Sequence, residues 1–162
     1  MSENISTLIA THPVKIKVLD FPFFEQYGLP HYATSESAGL DLRACIQESV
    51  VIQPGYRQLI PTGLCIDLNH SGLMWVLVPK SGLGHKKGLV LGNLVGIIDS
   101  DYQQEVGVSV WNSGQQPMTI SRGDFVCQAV LVPVVRVQWH LVEEFNREVD
   151  RVGGWGSTMG KE

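Results

Sequence analysis

The sequence predicts an all-β fold of the sandwich or barrel kind, in one domain of 162 residues. Three observations lead there. Short runs rich in β-branched residues recur about every ten residues, the spacing of sandwiches and barrels. Turn-forming Gly, Pro, Asn and Asp stand between them. The chain is 44% hydrophobic with Gly 17 and Pro 8, enough apolar content for a core and enough breakers for many sharp turns.

The runs come in order as Val14 to Leu19, Leu40 to Ala44, Val50 to Gln53, Gln58 to Pro61, Leu73 to Val78, Gly107 to Trp111, Met118 to Ser121 and Phe125 to Val137. Gln53-Pro54-Gly55, Asn69-His70-Ser71-Gly72, Asn112-Ser113-Gly114 and Ser121-Arg122-Gly123-Asp124 each close one strand and open the next. Ser71 to Val78 and Val106 to Trp111 approach apolar–polar alternation. Phe125 to Val137 is almost continuously apolar, as in a strand buried on both faces or at a subunit interface. Helical patterning is weak, and only Leu141 to Val149 suggests a short helix. Residues 1–13 read as a flexible lead-in, 14–150 as the β domain, and 151–162 as a glycine-rich arm that closes over something or moves in solvent.

Net charge is −4, so the chain lacks the global positive field that holds a nucleic-acid backbone. No stretch approaches the length and apolarity of a membrane span, and the first ten residues have no signal-peptide pattern. Cys45, Cys65 and Cys127 are widely spaced and flanked by apolar residues, which suits reduced core thiols. The expectation is a cytoplasmic protein without a structural zinc site and with no nucleic-acid or membrane partner.

Five glycine-containing segments carry polar groups suited to chemistry. In Ser37-Ala38-Gly39-Leu40-Asp41-Leu42-Arg43, Asp41 and Arg43 share one face of a strand. Pro79-Lys80-Ser81-Gly82-Leu83-Gly84-His85-Lys86-Lys87-Gly88 has the composition of an anion-holding nest, with Ser81 a better phosphate donor than nucleophile because no GxSxG elbow surrounds it. In Gly92-Asn93-Leu94-Val95-Gly96-Ile97-Ile98-Asp99-Ser100-Asp101-Tyr102, Asp99 follows two β-branched residues at the edge of a core, a place for a general base. Tyr102 adds a flat ring suited to a sugar or a base. The spacing lacks the remaining ligands of a calcium loop. Gly123-Asp124-Phe125-Val126-Cys127-Gln128 leads into the long apolar run, and the arm holds Arg151, Trp155, Ser157 and Thr158.

In this order and at these separations, the five segments resemble the motifs of the trimeric dUTP pyrophosphatase (dUTPase) family, from about Val14 to Gly160. The resemblance implies a jelly-roll-like β-sandwich, the dUTPase-like β-clip, assembled as a homotrimer whose active sites draw on more than one chain. It implies hydrolysis of dUTP to dUMP and pyrophosphate, limiting uracil incorporation into DNA and supplying dUMP for dTMP synthesis. Asn93 in a hairpin from Leu89 to Ile98 would read uracil, and Ile98 and Tyr102 would pack on deoxyribose. Asp99 would activate the attacking water. Lys80, Ser81, Gly82 and Gln128 would bind the phosphates, with Asp41 in support. Mg2+ would be held through triphosphate and water, and Arg151, Trp155, Ser157 and Thr158 would close the arm over the nucleotide.

The sequence departs from the family pattern at several of these places. Lys80 and Phe125 stand where arginines are usual, and the arm is one residue shorter after Arg151. Gln104 replaces a glycine, at a cost on the order of 1 kcal/mol if the backbone there is left-handed. Two other readings stay in play: a dCTP deaminase-related activity, and a catalytically impaired nucleotide-binding regulator.

Overall fold

The structure is a computed structural model and describes residues 11–146. Ten strands and two short helices make up the described chain. One sheet has the order β1-β4-β8-β6, from Lys15–Val18, Arg57–Asp67, Glu105–Asn112 and Leu89–Leu91. The second has the order β2-β10-β5-β7, from Leu40–Arg43, Phe125–Pro133, Leu73–Val78 and Gly96–Ile98. A two-stranded ribbon pairs β3 (Val50–Ile52) with β9 (Met118–Ile120). All pairings are antiparallel.

Both large sheets turn apolar residues into one core. Ile60, Leu64 and Ile66 of β4 and Val106, Val108 and Val110 of β8 meet Leu42 of β2, Trp75 and Leu77 of β5 and Val126 and Ala129 of β10. The alternation read at Val106 to Trp111 is realised in β8, where every second residue is buried. Burying such side chains between two sheets stabilises each by about 1.5–3 kcal/mol. The arrangement is the predicted all-β sandwich, and its eight principal strands in two antiparallel sheets suit the jelly-roll description.

The structure corrects several local readings. The segment Phe21–Tyr27 is a helix, α1, capped by the Asp20 side chain, which accepts from the Phe23 N–H at 3.0 Å. Ser81–Lys87 is a helix, α2, where the sequence reads as a glycine-rich loop. Seven residues make too few turns to show a helical period, and Gly82 and Gly84 argue against one. Strand β4 runs eleven residues, through Pro61, where the predicted run ends, and on through Gly63. A register shift between Pro61 and Cys65 absorbs them. Strand β10 stops at Pro133, short of Val137. Residues 141–146 are not helical, and the remainder of the expected helix lies outside the described residues. Leu89 to Ile98 is not a hairpin: β6 pairs with β8 and β7 with β5, so the segment crosses between the sheets.

Candidate active site

The phosphate-side candidates gather on one face of the second sheet. Gln128 on β10 lies opposite Asp41 on β2, and its amide donates to Asp41 Oδ1 at 3.1 Å. Lys80, just past the end of β5, forms an ion pair with the same carboxylate oxygen. The ion-paired side chains are about one-fifth exposed, 22% for Lys80 and 19% for Asp41.

A β-bulge makes this grouping possible. Phe125 pairs with Arg43 and Gln128 with Asp41, while the register shifts between Phe125 and Cys127. Residues 125 and 128 differ by an odd number and would face opposite sides of a regular strand. The extra residue returns both to the face that carries Asp41 and Arg43, a re-aiming that bulges commonly perform beside active sites. Buried Val126 and Cys127 in succession mark the irregularity. Burial, with the nearby Asp41 charge adding to it, pushes the Cys127 thiol up to about 12, so it stays a neutral core group.

Arg43 and Phe125 join the group, and reading the sequence for chemistry had assigned neither a role. The Arg43 guanidinium carbon stands 3.7 Å from the centroid of the Phe125 ring, and Nη1 donates to the Gly123 carbonyl at 2.7 Å. The Lys80 ammonium lies 4.7 Å from the same ring. The two departures from arginine, Lys80 and Phe125, are therefore neighbours. Ser81 and Gly82 open α2, whose first intrahelical bond runs from the Gly84 N–H to the Lys80 carbonyl at 2.8 Å. The amides of Ser81, Gly82 and Leu83 thus have no helical acceptor, and Ser81 and Gly82 are exposed beside Lys80.

The nucleoside-side candidates lie elsewhere. Asn93 is exposed at the crossing, where Leu94 adopts φ 64 and Val95 donates to the Asn93 carbonyl at 2.7 Å. Ile98 packs against the core from β7, opposite Trp75. Asp99 follows it into an exposed turn closed by the Tyr102 N–H donating to the Asp99 carbonyl at 3.1 Å. The Tyr102 hydroxyl donates to the Glu105 carbonyl at 3.0 Å, which fixes its ring over the turn. Glu105, missed in the sequence, in turn accepts from the Gly63 N–H at 2.8 Å and ties the turn to β4. Gln104 is not left-handed, so the expected backbone penalty is absent. Asp99, Ser100 and Asp101 line a cleft of about 340 Å³ with Ser71, Met74 and Arg136.

A single chain does not bring the two groups together. Strand β7 runs antiparallel to β5 with Ile98 opposite Trp75, so Asp99 sits toward the start of β5. Lys80 and Ser81 follow its end, beyond Val78. Met74 to Val78 alone spans roughly 13 Å at about 3.3 Å per residue. Arg151, Trp155, Ser157 and Thr158 lie outside the described residues.

The profile of the dUTPase family matches residues 25–159. A deoxyuridine 5'-triphosphate nucleotidohydrolase of Hahella chejuensis is 55% identical over 143 residues, covering 88% of this chain and 94% of that protein. The protein of the same name from Cronobacter sakazakii is 54% identical over 145 residues, 90% of this chain and 95% of its own length. The dUTPase of Staphylococcus bacteriophage 80alpha with dUPNHPP superposes with a TM-score of 0.77 at 23% identity, covering 91% of this chain and 99% of that one. A mutant dUTPase from phage phi11 of S. aureus, described with a structural Mg(II) ion, has a TM-score of 0.72 at 22% identity over 84% of this chain and 100% of its own. The phage structures share the sandwich, the family profile and the bacterial relatives extend over most of the sequence, and the chain belongs to the dUTPase family.

Proposed function

We propose that the chain hydrolyses dUTP to dUMP and pyrophosphate in a homotrimer, at sites formed between chains. The observation that carries the reading is that the Asp99–Tyr102 turn and the Lys80–Asp41–Gln128 cluster are both built, yet at opposite ends of β5. Each is half of a hydrolytic site, and juxtaposition of neighbouring copies supplies the other half. The segment after β10 supports assembly: Val135 (94%), Val137 (69%), Trp139 (88%) and Leu141 (102%) put an apolar side chain at every second position of a stretch that is exposed throughout, surface that a neighbouring chain can cover.

Asp99 accepts a proton from a water as that water attacks the α-phosphorus in line. The bond from the α-phosphorus to the bridging oxygen breaks, and pyrophosphate leaves with the electron pair. Ser81, Lys80 and Gln128 hold phosphate oxygens and bind the nucleotide, and the amides opening α2 meet the charge that develops with preorganised positive ends. Asp41 keeps Lys80 and Gln128 in place. Asn93 reads the uracil edge, and Ile98 and Tyr102 pack on the deoxyribose, the tyrosine ring excluding a 2'-hydroxyl. The arm with Arg151, Trp155, Ser157 and Thr158 closes the site against bulk water.

Among the described residues no three His, Cys, Asp or Glu side chains gather to hold a metal ion. The donor set at the cluster suits phosphate oxygens, and magnesium keeps several waters and binds through substrate phosphates, so the residues fit an ion carried on the nucleotide. When bound, Mg2+ neutralises charge on the triphosphate. All three cysteines are free, which supports the cytoplasm. No described helix is long and apolar enough to cross a membrane.

Hydrolysis of dUTP, dTTP, dCTP and UTP with magnesium, followed by pyrophosphate release, tests the reading. Turnover of dUTP above the other three is expected, and Asp99→Asn should reduce it at least about a thousandfold while a non-hydrolysable dUTP analogue still binds. Unchanged turnover of Asp99→Asn would refute its role as base, ammonia from dCTP would favour deamination, and tight analogue binding without hydrolysis would favour a regulator.

A further inference from the structure

Two cations share one aromatic ring in the phosphate-side cluster. Arg43 and Lys80 both stand over Phe125, at 3.7 and 4.7 Å from its centroid, and among the described residues Asp41 is the one carboxylate bonded to either. The group of Arg43, Lys80 and Asp41 carries a formal charge of +1. Bringing two like charges together is unfavourable unless something offsets it. The negative face of the ring and the Asp41 carboxylate do so here, and an anion bound beside them completes the balance.

The two cations offer different geometry. A lysine ammonium is a point charge, whereas a guanidinium presents a planar fork of N–H groups that matches phosphate oxygens in pairs. Gly123 takes one Arg43 N–H group, fixing the plane of the guanidinium against the ring. Among the described residues no acceptor takes the other Arg43 N–H groups, which can meet a ligand. The bulge at Val126 sets Phe125 opposite Arg43, and Phe125 stays 36% exposed, at the surface where a phosphate chain would arrive.

We propose that Phe125 is a positioning residue for the phosphate chain: its ring holds the Arg43 guanidinium and the Lys80 ammonium as one paired cationic contact for the triphosphate of the substrate. The inference rests on reading Lys80, Ser81 and Gln128 as the phosphate side of the site. Arg43 supplies the two-pronged contact that Lys80 cannot. The ring acts through these cations and touches no reacting atom, so its removal weakens binding without slowing the chemical step.

Steady-state hydrolysis of dUTP by wild type, Phe125→Leu, Arg43→Met, the double variant and Phe125→Trp tests this. Phe125→Leu and Arg43→Met should each raise KM roughly threefold to tenfold, the strength of a partly desolvated cation–ring contact, with kcat within about twofold of wild type. The double variant should be no worse than the weaker-binding single variant, because both remove one unit. Phe125→Trp should restore KM to within about twofold, since a larger aromatic face serves equally. An unchanged KM in Arg43→Met, multiplying effects in the double variant, or failure of tryptophan to rescue would overturn the inference. If Phe125→Leu does not fold, the Arg43→Met and Phe125→Trp outcomes decide alone. A wild-type chain that does not turn over dUTP refutes instead the activity on which the inference rests, and the same comparisons are then made as Kd for a non-hydrolysable dUTP analogue by calorimetry.

Discussion

At the scale of single residues, the site depends on backbone positions that only particular side chains tolerate. Gly88 ends α2 with φ 71 and ψ 17, and its N–H donates to the Gly84 carbonyl at 3.0 Å. A Cβ there would stand 2.5 Å from the Gly114 nitrogen, a backbone atom with little room to yield. Gly88→Ala should therefore cost at least about 2 kcal/mol in chemical denaturation, combining left-handed strain with the clash. The loosened helix should also weaken dUTP binding through Ser81 and Lys80, measured as a rise in KM. Asp41, Lys80 and Gln128, grouped in the sequence by the family resemblance and not by local pattern, converge on one face of the second sheet. Arg43 and Phe125 were not legible as partners, because the bulge that sets them face to face is a property of the pairing between two strands.

Elements give the site its frame, and α1 shows how one is fastened. Asp20 caps the helix, pairs with Arg122 Nη2 at 2.7 Å and accepts from the Gln47 amide at 3.2 Å. Arg122 also donates to the Ile46 carbonyl at 3.0 Å and stands over the Phe23 ring at 4.8 Å. The hydrogen bond from Arg122, followed by that from the Phe23 N–H, holds the Asp20 carboxyl below its ordinary 3.8. A carboxyl with a depressed folded pKa contributes stability above its unfolded value, and that contribution disappears as pH falls through the lower folded value. Asp20→Asn should lower Tm at neutral pH, and the gap from wild type should close as pH drops below 3.8. A gap that stays constant over that range would count against the ion pair.

Strands flanked by clear turn residues, such as β3, β5 and β9, were readable to within a residue or two. The two helices were not, since each is only seven residues long and α2 carries glycines. Strand β4 was read only as far as Pro61, and its continuation through Gly63 depends on the register of β8.

At the scale of the whole molecule, the described chain is an incomplete machine with a complete scaffold. The sandwich places the phosphate cluster at one end of β5 and the Asp99 turn at the other. Sequence order conveys both halves, but whether they meet depends on contacts between chains, which local patterning does not encode. The proposed assembly is a closed ring in which every chain serves two sites, supported by the exposed apolar run after β10 and by the separation of the two candidate groups. Mixing inactive subunits tests this claim most directly. Asp99→Asn removes the proposed base, and a Ser81→Ala, Gln128→Ala variant removes proposed phosphate donors, so each alone should be nearly inactive. Refolded together in equal amounts, they should recover about a quarter of wild-type dUTP turnover, because one junction in four joins an intact Asp99 to an intact phosphate cluster. Recovery no greater than the sum of the separate variants would contradict a site shared between chains.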